Sequence, residues 1–538
     1  EKLPLPYDQM DGSIVVDIVV GNYGEIWFVT GKAGVVKWEE GKYDFFSLDP
    51  EQKIEKIPVF KAAVDPFNNL WVASGEGLFQ YQGGKVERFT EKSGISNRWI
   101  NSLFVDDEGI LWLGSEGGLE KISQMAFRNY RYKENLPVNG IWAIRELPDK
   151  SVWVGTNSGI IVFDTKGNTR LIDKKAGLPE NSIVDLYPEE DGKVWILSYY
   201  AVHLWDGKKF ISFPYEPFKG LNLYGIIPLN RNEVWISTSE GIYSLDPLKR
   251  KVQKHPVNKE MSDLSSINHI THGRNGEVII SGKKIYIWKK GNKLREIQFP
   301  GARENFDVIK THVEEDRYVF VTNEGLKFYN GEQWEEFSLK NKKIFDMVKT
   351  ESGNYWLGCN SGVARFDGES YRFFGYYDGV AVEECNSGAA LLDSQGRVWL
   401  GGKNLTIIDP TLIRTFPSKK PLITKMQIGN WTYFFPKKLE FYSRVKSIGF
   451  YFATPSFFNE KEQLFRYRLM DLEKNWSHPT TEHSIRYAGL PPGNHTFEVQ
   501  SRQKYGDWDG SSAVLFLTVK PTFWQSTACK LFIGFMIL

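Results

Sequence analysis

Apolar and polar residues alternate with period two in short runs, and clusters of Asp, Asn and Gly separate the runs. This pattern predicts strands joined by tight turns. In one stretch SLFV leads through the turn DDEG to ILWLGS, then through a glycine hairpin to LEKIS and a last segment, FRNYRY. It reads as four antiparallel strands, with Asp and Gly supplying the turn geometry. The same unit recurs as NNLWVASGEGL, GILWLGSEGGL, KSVWVGTNSGI, GKVWILSYYAV, NEVWISTSEGI and GNYWLGCNSGV. Variants surround Trp27 and Trp399, and Ile279 and Val319 hold the Trp place in two degenerate copies. Ten copies therefore follow one another at about 41 residues.

Four strands every 40–45 residues mark the blades of a β-propeller. The fold class predicted is all-β, with ten repeats over 1–415 forming one large ring or two smaller ones. The recurring Trp is assigned to packing between blades. The last copy ends after LTIID without an outer strand, and KLPLPYDQMDG at the start of the chain is the expected replacement, closing the ring. From Pro421 to Pro521 the period is lost and about seven longer strands predict an immunoglobulin- or fibronectin-like sandwich, set at 416–523. The tail from Leu531 is apolar or Gly throughout. Residues 524–538 are read as the start of a truncated transmembrane helix, with Trp524 at the membrane interface, rather than as a last element packed on the body. That expectation puts the rest of the chain outside the cytoplasm, in the periplasm.

Composition changes this picture little. Of 538 residues, 67 are basic and 66 acidic, so the net charge of +1 gives no electrostatic drive toward nucleic acid. Three cysteines cannot build a disulfide framework. Cys359 and Cys385 each begin a CNSG and are expected to be two buried thiols or a bond between adjacent blades.

The LWLGSEGGL-type core, with connecting segments such as AGLPENSIVDL, resembles the two-component regulator propeller repeat. FRYRLMDLEKNW followed by SIRYAGLPPGNHTFEVQSRQKYGDW is similar to the triple-tyrosine domain that accompanies it. Tyr467 and Tyr487 stand where two signature tyrosines belong, and His495 replaces the third. The resemblance covers residues 1–524. It implies the extracytoplasmic sensor region of a bacterial membrane sensor kinase or related regulator, dimerisation as the means of signalling, and a membrane attachment at the C-terminal end. The best-known members carry fourteen repeats in two seven-bladed rings, against ten here.

No HExxH, GxSxG, P-loop or strand-borne GxGxxG is present, so no catalytic residue, metal ligand or cofactor is assigned. His269 and His272 point to opposite faces of a strand, and the acidic turns at Asp106 and Glu189 serve as hairpins. Binding is the better target. In a propeller the loop leading into each inner strand and the hairpin between the second and third strands open on one face. These positions supply Arg98, Trp99, Asn101, Trp142, Asn181, Tyr199, Tyr200 and Tyr224 as ligand-binding candidates, with Asn139, Asn157, Asn222, Asn268, Glu116 and Glu240 beside them. Aromatic faces with Asn and Arg donors suit sugar rings and their hydroxyls. The function expected is ligand sensing, with an oligosaccharide or other small ligand. The alternative is a secreted or tethered propeller enzyme acting on polysaccharide.

Overall fold

The computed structural model describes residues 14–522 apart from 32–33, 50–56, 92–94, 124–125, 133–135, 138–139, 166, 265–266, 340, 414–418 and 504–507; beyond 522 it describes Cys529, Leu531, Phe535 and Met536. All ten repeats form antiparallel sheets, here numbered as blades in chain order. They divide between two compact units. One unit holds residues 88–98 and 124–413, and the other holds 1–87, 99–123 and 414–538.

The first unit is a closed ring of seven blades, numbers 4 to 10. Their inner strands are Ile141–Glu146, Ile183–Pro188, Leu223–Asn230, Ile267–His272, Val308–Val313, Ile344–Lys349 and Cys385–Leu392. Each packs beside the next, and the last packs beside the first. The outer strand of blade 10 is Phe127–Tyr130, paired antiparallel with Leu405–Ile408. The ring is thus closed by FRNYRY; KLPLPYDQMDG, expected in that place, lies outside the described residues. Packing explains the choice. The Phe127 ring is buried 5.5 Å from that of Phe374 in blade 9, in one cluster with Val380, Val398 and Ile408. Asn129 completes the join, donating to the Gly379 carbonyl at 2.7 Å and accepting from the Ala381 N–H at 3.1 Å and the Thr406 hydroxyl at 2.9 Å.

The repeat tryptophans sit in the cores between blades. Trp153 packs with Ile183, Leu186 and Val194 of blade 5, and Trp399 with Val152 and Val154 of blade 4. Four of their indoles are anchored by the acidic turns. Trp71 donates to Asp65 at 3.1 Å, Trp112 to Asp106 at 3.0 Å, Trp195 to Glu189 at 3.0 Å and Trp399 to Asp393 at 2.8 Å. The acid six residues before the Trp thus satisfies a buried donor.

The second unit contains blades 1 to 3 and the sandwich. Blade 3 has only three strands, because its expected fourth closes the ring. Its Trp112 meets Phe457 of the sandwich edge to face at 5.1 Å. Lys121 donates to the Phe457 carbonyl at 2.7 Å and pairs with Glu460 at 2.9 Å. Among the described residues the sandwich has eight strands, one more than the seven expected. Trp431–Phe434 is the strand that the sequence reading missed, at the edge of the sheet beside Leu422–Ile428. Phe450 stacks on Phe497 at 4.0 Å in its core. Tyr467 packs there on Phe452, and Tyr487 bonds Glu473 at 3.1 Å. His495 engages Asp471 through Nδ1 and the Pro491 carbonyl through Nε2. Among the described residues no helix is long and apolar enough to cross a membrane, and the membrane-helix expectation falls mostly outside them.

Candidate functional site

One face of the ring is defined by a repeated backbone bond. The first hairpin residue after the second strand donates its N–H to the residue just before the inner strand. Asn157 bonds to Gly140 at 3.2 Å, Tyr199 to Ser182 at 2.9 Å, Ser239 to Asn222 at 3.0 Å and Asn323 to Asp307 at 3.1 Å. The two loops singled out from the sequence therefore do share a face.

Every ring inner strand also carries a bulge near its start, after Ile141, Ile183, Leu223, Ile267, Val308, Ile344 and Cys385. A bulge leaves one residue unpaired and re-aims its neighbours. Trp142 and Tyr224 are bulge residues, which is why large rings on inner strands remain 41% and 37% exposed. The Trp142 indole is oriented by Asn157 at 2.7 Å. Tyr199 and Tyr200 meet edge to face at 4.9 Å, and Tyr200 meets Tyr215 at 6.4 Å. The Tyr199 hydroxyl reaches Asn222 at 3.5 Å. Asn181 is occupied in its own loop, accepting the Lys174 N–H at 2.8 Å.

Blades 4 to 6 thus present Trp142, Tyr199, Tyr200, Tyr215 and Tyr224 on one face, backed by Asn157 and Asn222. Tyr215 escaped the sequence reading because it lies in the connection between blades 5 and 6, outside the aligned positions. The other three candidates are placed elsewhere. Trp99 and Asn101 belong to the three-blade unit, and Arg98 ends the 88–98 segment. Trp99 packs at 5.4 Å against Phe60, and a Cβ on Gly75 would come within 2.8 Å of its ring. It is as much a packing residue as an exposed one. The open clefts around Phe299, Pro300 and Gly301 share no residue with the aromatic arc.

Sequence reasoning also missed a charged cluster. The residue that follows the bulge is Asp185, His269, Lys310 or Asp346 in blades 5, 7, 8 and 9. Three of these accept the N–H of an inner strand one repeat later. Asp185 takes Ile226 at 3.3 Å, His269 takes Thr311 at 3.2 Å and Asp346 takes Gly388 at 2.7 Å. Arg145 pairs with Asp185 at 2.8 Å and donates to the Gly388 carbonyl at 3.1 Å, while His312 pairs with Asp346 at 2.8 Å. Burial holds His269 neutral, well below the usual imidazole range, and the basic groups Lys310, His312 and Arg145 push the same way. Burial alone would raise Asp346, but the His312 bond and the charges of His312 and Lys310 outweigh it and keep the carboxylate ionised. Polar residues on strands otherwise read as buried were the available signal. Cys359 and Cys385 are free thiols, and burial pushes Cys359 up to about 12.

Comparison with known proteins fits this architecture. The family profile of the two-component regulator propeller matches residues 94–117, and that of the Y_Y_Y domain matches residues 456–520. The chain is 21% identical over 505 residues to Histidine kinase P4 of Formosa agariphila, a match covering 85% of the chain and 33% of the relative. The chain thus spans about a third of that protein's length. Among solved structures it is similar to the extracellular domain of the hybrid two component system BT3049 from B. thetaiotaomicron, with a TM-score of 0.71 and 19% identity over 94% of this chain and 73% of the other.

Proposed function

We propose that this chain, which carries two-component regulator propeller repeats and a Y_Y_Y domain, is the ligand-sensing region of a bacterial membrane signalling receptor and works outside the cytoplasm. Its ligand is an oligosaccharide, taken up on the face of the seven-bladed ring. The carrying observation is the arc of five half-exposed aromatics, with Trp142 steered by Asn157 and Tyr199 by Asn222. Flat rings with fixed amide neighbours suit the apolar faces and hydroxyls of sugars. The arc is built of aromatic faces and amide groups, so the reading is recognition. Binding shifts a receptor between two arrangements only by the difference in its affinity for them. Dimerisation, a membrane helix beyond the sandwich and a kinase region outside this chain complete the proposal.

A glycan array followed by calorimetric titration tests it. Tyr199→Ala and Tyr200→Ala should each weaken the best oligosaccharide by about thirtyfold, as expected for losing an aromatic hot spot of about 2 kcal/mol, with melting unchanged. Trp153→Ala serves as the contrast: it should destabilise the ring by about 3–5 kcal/mol. A blank array, or tyrosine variants that melt early and still bind, would overturn the reading.

A further inference from the structure

Lys310 stands where the neighbouring blades place an acceptor. In blades 5, 7 and 9 the residue after the bulge takes an N–H from the blade beyond, as Asp17 takes the Ala62 N–H at 2.8 Å in the other unit. A lysine cannot accept. The residue is only 9% exposed, yet among the described residues its ammonium finds no hydrogen bond and no carboxylate within 4 Å. The other lysine at this position, Lys61, is half exposed and paired with Asp17 at 3.1 Å. Lys310 instead reaches across the ring, because a Cβ built on Gly388, two blades away, would lie 3.6 Å from its Nζ.

The two carboxylates that attract it, Asp346 and Asp185, stay beyond ion-pair distance and are engaged elsewhere. Asp185 on blade 5 is spent on Arg145 of blade 4 and on the N–H groups of Leu186 and Ile226. Asp346 on blade 9 is spent on His312 and on the N–H groups of Met347 and Gly388. His269 on blade 7 is neutral and already accepts from Thr311. An amine that the protein leaves without a hydrogen bond or an ion pair is open to a charge-assisted bond from an anionic partner. Arg145 and His312 stay about a quarter exposed beside it. Lys310 also sits near the start of its inner strand, at the end where Trp142 and Tyr224 emerge in blades 4 and 6.

We infer that Lys310 is the receptor for an acidic group on the ligand, a carboxylate or a sulfate, so that the ring recognises an anionic saccharide rather than a neutral one. The inference rests on the reading of the ring face as the ligand site and adds the chemical class. Burial holds the Lys310 amine below its usual range despite the attraction of Asp346, with Arg145 pushing it further down. A bound anion reverses that shift, and binding should therefore take up protons at alkaline pH.

The test titrates glucuronate, glucose and inorganic sulfate into the whole chain and into Lys310→Met. Wild type should bind glucuronate at least tenfold more tightly than glucose. Lys310→Met should erase that preference while melting no lower than wild type, since it removes a buried unpaired charge. Titration at pH 9 in buffers of different ionisation enthalpy should show proton uptake in wild type and none in the variant. Equal affinity for glucuronate and glucose, no binding of either, or a preference that survives in Lys310→Met overturns the inference. The two readings fail separately. Silent Lys310→Met with binding lost in Tyr199→Ala leaves the face as the site, whereas anion binding that needs Lys310 but ignores Tyr199 and Tyr200 leaves the receptor without the aromatic platform. Sulfate bound as tightly as glucuronate would mean a free inorganic anion only, and would overturn the saccharide class.

Discussion

Closing the ring with Phe127–Tyr130 makes a sharp prediction about stability. Phe127 is 8% exposed and fills a cluster that joins blades 9 and 10, so Phe127→Ala removes a whole ring from between Phe374 and Val380. Truncating a buried Phe costs about 3–5 kcal/mol through lost burial and the cavity left behind. For a unit of this size about 2 °C is lost per kcal/mol, which gives a fall of about 6–10 °C in Tm. Asn129→Ala deprives Gly379 of a donor and the Thr406 hydroxyl of an acceptor, for about 1–3 kcal/mol. Both variants should also open the ring to protease, with early cuts near 379–413 where blade 10 loses its outer strand. Deleting residues 1–12 should change neither the ring's melting nor its cleavage pattern. Thermal melting with timed proteolysis and mass spectrometry reads all three proteins. If the 1–12 deletion destabilises the ring while Phe127→Ala leaves it intact, the closure is elsewhere and the reasoning fails.

Two further outcomes follow from the ring's interior. His203 is 3% exposed between the hydroxyls of Ser198 and Ser212, and burial pushes it down to about 4. Its folded value lies below the unfolded one, so its contribution is present above about pH 6.5 and is lost as pH falls toward 4, about 3 kcal/mol in all; denaturant unfolding from pH 7 to 4 should show the slope, and His203→Gln should flatten it, an unchanged slope counting against the assignment. Gly388 has φ +88° and a Cβ there would sit 2.7 Å from the Trp142 carbonyl, so Gly388→Ala should lower ring stability by at least about 1–3 kcal/mol and disturb the Lys310 surroundings; a melting curve like wild type would show that the inner bulge of blade 10 is not held as described.

The blades were legible because their signals are local. An aromatic in the second strand, a Gly at the hairpin and an acid six residues before the Trp each do their work inside one repeat. Closure was not legible, because an outer strand is exposed on one edge and pairs with whichever blade lacks a fourth strand. FRNYRY reads the same whether it completes blade 3 or blade 10, and only the fit of Phe127 against Phe374 decides. The site was half legible. Trp142, Tyr199, Tyr200 and Tyr224 fell at aligned loop positions, and Tyr215 did not. Trp99 occupies an equivalent position yet leans on Phe60, a distinction of packing that spacing does not carry. Lys310 went unread because polar residues on inner strands alternate with apolar ones in many sheets. Their meaning emerges only when the bulge shows which of them face the neighbouring blade.

The bulge is where stability and recognition meet in this ring. One extra residue near the start of each inner strand turns a side chain such as Trp142 or Tyr224 out toward the face, and turns the next residue toward the adjoining blade. Where that next residue is Asp185, His269 or Asp346, it binds one blade to another, and exchanging it for an apolar residue would leave a buried N–H without a partner. Where it is Ala143 or Gly225, nothing bridges, and Arg145 spans part of the gap from two residues further along its strand. Lys310 is the exception that adds charge without bridging. Its removal should therefore cost the fold nothing, while removal of Asp346, at the same position one blade on, would strand His312 and two N–H groups together. Equivalent positions carry opposite consequences because the backbone fixes where a side chain points, and the side chain alone fixes whether it closes the ring or waits for a ligand.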